Sequence, residues 1–368
     1  MESFSKSKIL FLVQLPPPLH GVSTMNKYLI ESKPILDEFE ISIVQLKFSK
    51  SLSDLRAISL IKLVRMFVIG FRIIKKLFFL RPEAVYYTIT PTGNAFYRDA
   101  VYVIILKMFK LKRIYHLHGK GIKNYANKRK INKILYKFVF KNSYVICMSD
   151  MLHDELDAFH PKNIFTVNNG IEVINYEEKK ADKVQLLFLS NLIEDKGLFD
   201  FLSTLKYLKD LEPLFYATII GNPSNVSERQ LLDFIKSNNI TNITYEGAKY
   251  GNDKYEYLKK PTILIFPTRN DTFPLVILEA MQFGAPVIST VEGAIPDIID
   301  DTVTGFLVPK SNPEAIAEKV RFLLNNPTER IKMGENGKNK FQNRYKLSIF
   351  EKNVKSVFHT VITSNPLN

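Results

Sequence analysis

The stretch "ILIFPTRNDTFPLVILEAMQFGAPVIST", residues 263–290, combines an apolar run, a polar loop, a helical segment and a second apolar run. Pro274 is a good first helical residue and Gly284 a typical stop, so the pattern predicts a helix over about 274–283. Strand, loop, helix and strand in this order form the repeating unit of parallel α/β sheets. The stretch therefore indicates a Rossmann-like domain with its polar loop at the carboxyl end of a strand.

The same alternation extends along the whole chain. Six apolar runs precede residue 180, namely "KILFLVQ", "ISIVQLK", "AVYYTIT", "RIYHLHG", "YVICMS" and "IFTVNNG". Six more follow it, namely "QLLFLSN", "YATIIGN", "ITYEG", "ILIFPT", "PVIST" and "GFLV". Strands that alternate with helices imply parallel sheets, and the even division predicts an α/β protein with two Rossmann-like domains facing each other across a cleft.

Composition along the chain suggests where these domains end. Residues 172–183, "EVINYEEKKADK", are highly charged and lack apolar periodicity, as expected of a boundary. We predict a first domain over 1–172, a linker over 173–183, a second domain over 184–346, and a terminal helix over 347–368 that returns to the first domain.

The composition, 46% hydrophobic and 24% charged, is typical of a globular protein. Cys147 is the single cysteine, which excludes an intramolecular disulfide and a Cys-rich zinc site. The first apolar run is too short for a secretory signal, and no uncharged run approaches the roughly 20 residues of a membrane span. We therefore expect a chain that stays in the cytoplasm.

The net charge of +14 comes from the first half of the chain. Residues 1–180 contain 29 Lys and Arg against 15 Asp and Glu, whereas residues 181–368 contain 22 of each class. Such an asymmetry points to an anionic surface met by one domain, either nucleic acid or a membrane leaflet. The basic segments are interleaved with aliphatic residues, and no helix-turn-helix or RNP pattern is present, which argues against nucleic acid.

Two segments concentrate this positive charge. Residues 56–81, "RAISLIKLVRMFVIGFRIIKKLFFLR", carry seven cations and no acid, and residues 127–137 read "NKRKINKILYK". They predict basic amphipathic helices in a lipid interface, or domain helices whose long cationic side chains cover the core. The second cluster favours membrane contact, so we expect a peripheral location on the inner face of the membrane.

Asp271 and Glu279 enclose the apolar part of the opening stretch. Glu279 lies five residues beyond Pro274, about 7.5 Å along a helix axis. The free N–H groups and positive dipole end of the first helical turn suit a diphosphate, and carboxylates on either side suit sugar hydroxyls. The alternative is that Asp271 caps the helix while Glu279 is a solvated helix residue.

The opening stretch, followed by "GAIPDIIDDTVTGFLV" at 293–308, resembles the C-terminal signature of the family 4 retaining glycosyltransferases of group 1, which have the GT-B fold. The resemblance continues in "VNNGIE" (167–172), "FLSNLIEDKG" (188–197) and "LPPPLHGVSTMN" (15–26). Two positions depart from the pattern. Asp271 stands where the family usually has Glu, and Asn191 stands where an Arg commonly precedes the lysine of the second motif.

The resemblance implies roles for individual residues. Glu279 would bind the nucleotide ribose, Asp271 the hydroxyls of the transferred sugar, and Lys196 the diphosphate. Backbone N–H groups of Phe273 and Leu275 would hold the leaving phosphate. The implied catalytic residues are His118, Asp271 and Lys196, and the implied donor-binding residues are Gly21, Asn191, Lys196, Asp271, Thr272, Phe273, Pro274, Leu275 and Glu279.

In the first domain, "HGVST" puts Gly21 at a strand-to-helix turn with Ser23 or Thr24 as cap. This turn lets a phosphate or sugar approach the backbone closely, or is an ordinary tight turn. "YHLHGKG" puts His116 and His118 on one face of a strand, because side chains repeat every two residues. His118 resembles the family's histidine that lies against the transferred sugar, whereas His116 is assigned to the core.

Acceptor binding is assigned to two loops. "TPTGNAFYRDA", residues 90–100, follows the third strand and contributes Arg98 and Asp99. His20 comes from the glycine-rich loop of the first domain.

The predicted reaction moves a sugar from a nucleotide-diphosphate sugar, UDP by default, to a hydroxyl of a lipid-linked saccharide in bacterial capsule, exopolysaccharide or lipopolysaccharide synthesis. No residue stands out as a nucleophile, so a front-face route with retention is expected. No Asp-x-Asp pair occurs, so neither a metal nor a cofactor besides the donor is expected. The alternatives are a GT-B sugar phosphorylase, a nucleotide-sugar epimerase, or a non-catalytic basic protein that binds membranes or nucleic acid.

Overall fold

The computed structural model describes residues 6–47 and 60–365, and within 60–63 the backbone only. The chain divides into two compact units, Met1–Asn169 with Leu347–Asn368, and Gly170–Lys346. Each unit contains a six-stranded sheet flanked by helices. The predicted α/β architecture of two Rossmann-like domains is confirmed.

The sheet of the first unit is wholly parallel, with strand order β2-β1-β3-β4-β5-β6. Its strands are β1 Ser7–Val13, β2 Phe39–Gln45, β3 Ala84–Tyr87, β4 Lys112–His116, β5 Tyr144–Cys147 and β6 Asn163–Thr166. The residues of β3 and β5 are all buried, which is why these strands read as continuous apolar runs.

Helices cover both faces of this sheet. They are α1 Gly21–Glu31, α2 Lys33–Leu36, α3 Leu60–Leu80, α4 Gly93–Met108, α5 Ile122–Asn127 and α6 Lys130–Phe140. Helices α3, α4 and α6 share one core cluster with Leu10 and Leu12 of β1, so these three helices lie on the same face. The predicted amphipathic segment 56–81 corresponds to α3, but its residues 56–59 lie outside the described residues.

The last helix, α14 Leu347–Thr363, belongs to the first unit and packs on the opposite face of its sheet. The ring of Phe358 contacts Phe11 of β1, Phe39 of β2 and Tyr86 of β3 at centroid distances of 5.8, 5.8 and 5.6 Å. Burying one such phenylalanine contributes about 1.5–3 kcal/mol. The first unit is therefore built from two segments that lie far apart in the sequence.

The second unit repeats the architecture, with parallel strand order β12-β11-β10-β7-β8-β9. Its strands are β7 Val184–Leu189, β8 Phe215–Ile220, β9 Ile243–Tyr245, β10 Thr262–Phe266, β11 Val287–Thr290 and β12 Gly305–Val308. Its helices are α7 Leu198–Lys206, α8 Glu228–Ser237, α9 Gly251–Leu258, α10 Leu275–Gln282, α11 Ile295–Ile298, α12 Pro313–Asn325 and α13 Pro327–Arg344.

The segment predicted as a linker lies with the second unit. The Ile174 N–H donates to the Gln282 side chain over 3.0 Å, and the Tyr176 ring lies 4.4 Å from that of Phe283. Lys179 pairs with Glu256 on α9. The charged segment 173–183 is therefore held at the surface of the second unit.

None of the helices within 6–47 and 60–365 combines the length and the apolarity that a bilayer crossing requires.

Candidate functional site

The loop between β10 and α10 lies at the carboxyl edge of the second sheet and carries Asp271, Thr272 and Phe273. Pro274 is the N-cap of α10, with ψ 115°, so the helix begins at Leu275. The prediction that Pro274 is the first helical residue is wrong by one position, because the fixed φ of proline fits an extended N-cap as well as a helix. In the first turn of α10 the Ile277 N–H donates to the Pro274 carbonyl over 3.2 Å, whereas the N–H groups of Leu275 and Val276 have no acceptor within the helix.

Lys196 and Asp271 form an ion pair, with 2.6 Å between Lys196 Nζ and Asp271 Oδ2. Lys196 ends a short 3-10 turn after β7 and also donates to the Asn270 carbonyl over 3.1 Å. The following Gly197 has φ +82°, and a Cβ there would lie 2.1 Å from the Pro267 carbonyl oxygen. The glycine thus lets the lysine turn approach the loop that carries Asp271.

Glu279 also has a lysine partner, which the sequence analysis missed. Its Oε1 lies 2.6 Å from Nζ of Lys254 on α9, and the two side chains are 15% and 18% exposed. Burial and then the charge of Glu279 raise the pKa of the neighbouring Tyr255 to about 12. No local signal marks Lys254, because α9 and α10 are separate in sequence and meet only in the fold.

Glu292 is a second residue that the sequence analysis missed. It is 5% exposed, pairs with Lys310 and accepts from the Asp271 N–H over 3.4 Å. The adjacent Gly293 has φ +54°, and a Cβ there would lie 2.4 Å from the Asp271 carbonyl oxygen. The Ala294 N–H donates to the Thr272 carbonyl over 2.8 Å. The segment after β11 therefore supports the loop that carries Asp271.

Three lysines, Lys196, Lys254 and Lys310, contribute positive charge around this loop. Arg269, within the loop, pairs with Glu194 and Asp200. In the described ranges, no three His, Cys, Asp or Glu side chains gather in a way that could hold a metal ion.

Asn191, which stands where the family pattern has an arginine, faces the neighbouring strand-end loop. Its Oδ1 accepts from the Asn222 N–H over 3.3 Å, and its carbonyl accepts from Ile193 over 2.7 Å. Asn191 therefore braces the loop after β7 that carries Lys196.

In the first unit, His20 rather than Ser23 or Thr24 caps α1, so the predicted cap is wrong. The Ser23 N–H donates to His20 Nδ1 over 3.3 Å, and the His20 N–H donates to Ser23 Oγ over 3.0 Å. The helix begins at Gly21, one turn earlier than a Ser23 or Thr24 cap would allow. Burial lowers the pKa of His20, which favours the neutral ring that can accept this hydrogen bond.

His116 and His118 lie on one face of the strand end, with ring centroids 4.0 Å apart. His116 is fully buried and its Nδ1 lies 2.6 Å from the Tyr86 hydroxyl, as expected of a core residue. Burial and then the charge of His20 lower the pKa of His118 to about 3. Its Nε2 is buried without a hydrogen-bond partner among the described residues. His118 is therefore a neutral imidazole at pH 7.

Arg98 and Asp99 do not lie in a loop, because α4 begins at Gly93. Asp99 is fully buried, its Oδ2 accepts from the Thr90 N–H over 2.9 Å, and its Oδ1 lies 2.6 Å from the Arg98 guanidinium. The Asp99 carboxylate therefore fastens the β3–α4 connection. The prediction that residues 90–100 form a loop is wrong from Gly93 onwards, whereas acceptor binding by Arg98 and Asp99 stays a prediction.

The structure thus brings the predicted donor residues of the second unit together at one sheet edge. Two Rossmann-like units, with a lysine turn after the first strand of the second unit and an acid-bearing loop before α10, are the elements of the GT-B fold. Residues 172–340 match the family model described as glycosyl transferases group 1. The match covers nearly all of the second unit, so the chain is similar to glycosyltransferases of this group.

Curated relatives carry related names. An uncharacterised glycosyltransferase of Methanocaldococcus jannaschii is 29% identical over 66% of this chain and 67% of its own length. The capsular polysaccharide biosynthesis glycosyltransferase CapM of Staphylococcus aureus is 26% identical over 53% of this chain, which corresponds to half of CapM. The structure of Anabaena HepE in complex with UDP has the same fold, with a TM-score of 0.74 and 15% identity over 96% of this chain and 100% of HepE.

Proposed function

We propose that the protein transfers a sugar from a nucleotide-diphosphate sugar, with UDP as the default nucleotide, to an acceptor hydroxyl with retention of configuration. The observation that carries this proposal is the pair of acid–lysine contacts at α10. Asp271, which pairs with Lys196, precedes the helix, and Glu279, which pairs with Lys254 of α9, lies within it. Both acids are held in place by cations, and the free N–H groups of the first helical turn come between them in the chain.

In this proposal the donor diphosphate docks at the first turn of α10, where the N–H groups of Phe273 and Leu275 and the helix dipole favour an anion. Lys196 contacts a phosphate oxygen, Asp271 accepts from hydroxyls of the transferred sugar, and Glu279 accepts from the ribose hydroxyls. The HepE structure with UDP supports the choice of nucleotide.

Transfer then breaks the bond between the sugar carbon and the phosphate oxygen while the acceptor oxygen attacks from the same face. The departing phosphate oxygen takes the proton of the acceptor hydroxyl, and Lys196 offsets the charge that develops on the diphosphate. Because a lysine supplies this charge, we propose that the reaction needs no metal. The neutral His118 would contribute a hydrogen bond to the transferred sugar rather than a charge.

For the acceptor, we propose a lipid-linked saccharide in the assembly of a bacterial capsule, exopolysaccharide or lipopolysaccharide. CapM is named for capsular polysaccharide biosynthesis, and AmsK of Erwinia amylovora for amylovoran biosynthesis. These names support polysaccharide assembly as the setting.

The outer face of the helical layer α3–α4–α6 supports a membrane-bound acceptor. Adjacent helices contact one another in this layer, and their exposed apolar side chains include Val64, Phe67, Phe71, Ile104, Met108, Ile131 and Ile134. Exposed lysines and arginines lie on α3 and α6. Apolar residues interleaved with cations fit an anionic lipid surface, so we propose that this layer docks there.

The experiment that tests the proposal incubates the protein with radiolabelled nucleotide sugars and a bacterial membrane extract. We expect label to move into a lipid-extractable product, at an undiminished rate in the presence of EDTA. Interconversion of the donor alone, or sugar phosphate formation with inorganic phosphate, would instead support an epimerase or a phosphorylase. Proton NMR coupling at the new linkage reports whether the configuration is retained.

A further inference from the structure

A pocket of about 390 Å³ opens in the first unit, within the range of about 300–1,000 Å³ typical of small-molecule sites. One wall consists of Pro17, Gln45 and Lys47. The other wall is the face of α3 formed by Arg65, Val68, Ile69 and Arg72. None of the donor-binding residues named above lines this pocket.

The pocket lies at the carboxyl edge of the first sheet. Gln45 is the last residue of β2, and Pro17 lies in the loop after β1, the parallel neighbour of β2. Helix α3 is fixed beside them, because Lys76 Nζ donates to Ser42 Oγ on β2 over 2.7 Å. The Tyr102 hydroxyl of α4 donates to the Met66 carbonyl of α3 over 3.0 Å. Both walls of the pocket therefore belong to the sheet of the first unit and the helices packed on it.

The charge of the pocket is positive. Arg65, Val68, Ile69 and Arg72 follow the i, i+3, i+4, i+7 pattern of one helix face, so the two arginines lie about 10.5 Å apart along the axis. With Lys47 they make three cations, and the described lining includes no carboxylate. Neither Lys47 nor Arg72 has an ion-pair partner in the part of the chain that the structure describes. Guanidinium groups match phosphate oxygens in geometry, so a phosphorylated ligand fits this lining.

An apolar strip adjoins the pocket along α3. Phe67 and Phe71 are 70% and 68% exposed, and each precedes a pocket residue in the sequence. A ligand with phosphoryl groups in the pocket and a hydrocarbon chain on these rings would satisfy both features. We infer that this pocket binds the diphosphate of an isoprenoid lipid that carries the saccharide acceptor. That this lipid is the acceptor rests on the proposed function, whereas its binding through a diphosphate follows from the residues that line the pocket.

The position of Pro17 indicates where the saccharide of the bound lipid would lie. The same β1–α1 loop continues to His20 and Gly21, the first-unit candidates for contact with sugars. A lipid held by its diphosphate beside Pro17 would therefore present its first sugar along this loop.

The test measures binding of farnesyl diphosphate, a short isoprenyl diphosphate, by calorimetry with the full chain and no donor. We expect it to bind more tightly than inorganic diphosphate or farnesol, and Arg72→Gln and Lys47→Gln each to weaken it about tenfold or more. Arg229→Gln, which removes a 91% exposed arginine from the second unit, is the matched control and should bind as the parent does.

Several outcomes would overturn the inference. Unchanged binding in Arg72→Gln and Lys47→Gln would do so, as would equal affinity for inorganic and farnesyl diphosphate. Loss of phosphatidylglycerol vesicle binding in these variants, with farnesyl diphosphate binding intact, would assign the cations to a bilayer headgroup instead. The binding measurement contains no donor, so its result stands even if the protein does not transfer sugar. If the parent protein transfers sugar but binds no farnesyl diphosphate, the inference about the pocket is refuted and the proposed function is not.

Discussion

Lys196 and Asp271 neutralise each other at the edge of the second sheet, with side chains 23% and 17% exposed. A donor diphosphate that reaches Lys196 must share this lysine with Asp271, so the carboxylate orients the ammonium group before any ligand arrives. At this partial burial the contact is less screened by solvent than a surface pair.

We expect Lys196→Met to weaken UDP binding about tenfold to a hundredfold, because a hydrogen bond to a charged group contributes about 1.5–3 kcal/mol. Binding of uridine, which has no phosphate, should change far less. Calorimetry with both ligands measures the difference. Equal losses for UDP and uridine would show that the lysine acts on the fold of the loop rather than on the diphosphate.

Substitutions of Glu279 and Lys254 allow the effect on UDP binding to be separated from the effect on the free energy of unfolding. Glu279→Gln should weaken UDP binding about tenfold or more, and either Glu279→Gln or Lys254→Gln should lower the free energy of unfolding, because each leaves one charge without its partner. The double variant should recover part of the stability but none of the affinity lost with Glu279. Denaturant titration and calorimetry on the four proteins measure both quantities. Parent-like UDP affinity in Glu279→Gln would contradict the proposed donor site.

His118 predicts a stability change with pH. Its folded pKa of about 3 lies below the value of about 6.5 for an unfolded chain, so between these values the unfolded state binds a proton that the folded state excludes. The free energy of unfolding should therefore fall as the pH falls from about 6.5 towards 3. His116, whose pKa burial also lowers, should add to this fall.

Thermal unfolding at pH 7 and pH 5 tests the role of His118. The melting temperature of His118→Gln should fall less between these two pH values than that of the parent. His160→Asn, which changes an exposed histidine, serves as the control and should follow the parent. If His118→Gln and the parent lose the same number of degrees, His118 does not carry the effect.

At the scale of elements, Gly293 couples the end of β11 to the loop before α10. A Cβ at this position would lie 2.4 Å from the Asp271 carbonyl oxygen and 2.7 Å from that of Thr272. We expect Gly293→Ala to displace Asp271 and to lower kcat/KM for sugar transfer by more than tenfold, with a stability loss of about 1–3 kcal/mol.

Gly247→Ala is the control for this substitution. Gly247 also has a positive φ, +66°, but no atom lies within 4 Å of its added Cβ. Gly247→Ala should therefore share the backbone strain of Gly293→Ala but keep the transfer activity of the parent. Similar activity losses in both variants would refute a specific contact between Gly293 and the Asp271 loop.

The elements could be predicted largely from sequence, whereas several contacts between them could not. All twelve predicted strands are present, because buried parallel strands leave continuous apolar runs. The sequence pattern does not indicate Lys254 and Glu292 as site residues, because their partners Glu279 and Asp271 come from other elements. The sequence does not indicate His20 as the cap of α1, because histidine is not among the preferred capping residues. The sequence does not mark the start of the helix that contains Arg98 and Asp99, because this helix begins within "TPTGN", whose Pro, Gly and Asn are typical of turns.

For the whole molecule, the basic helical layer predicts a salt-dependent association with lipid. The protein should sediment with vesicles rich in phosphatidylglycerol, less with phosphatidylcholine vesicles, and be released by high salt. Replacing Phe67 and Phe71 by Ser should weaken the association at least about tenfold, since each ring contributes about 1.5–3 kcal/mol when buried. The double replacement of Leu232 and Ile331 by Ser removes exposed apolar side chains from the second unit and should have little effect. Binding that is indifferent to lipid charge would contradict this prediction.

The two-segment construction of the first unit has a consequence for biosynthesis. Ribosomes extend a chain from its amino end, yet Phe358 and its neighbours in α14 cover rings that belong to β1, β2 and β3. The second unit is continuous and can complete its fold while these residues are still being translated. The portion synthesised first is consequently the last to close, and until α14 has been made and can pack, its apolar sheet face is available to chaperones.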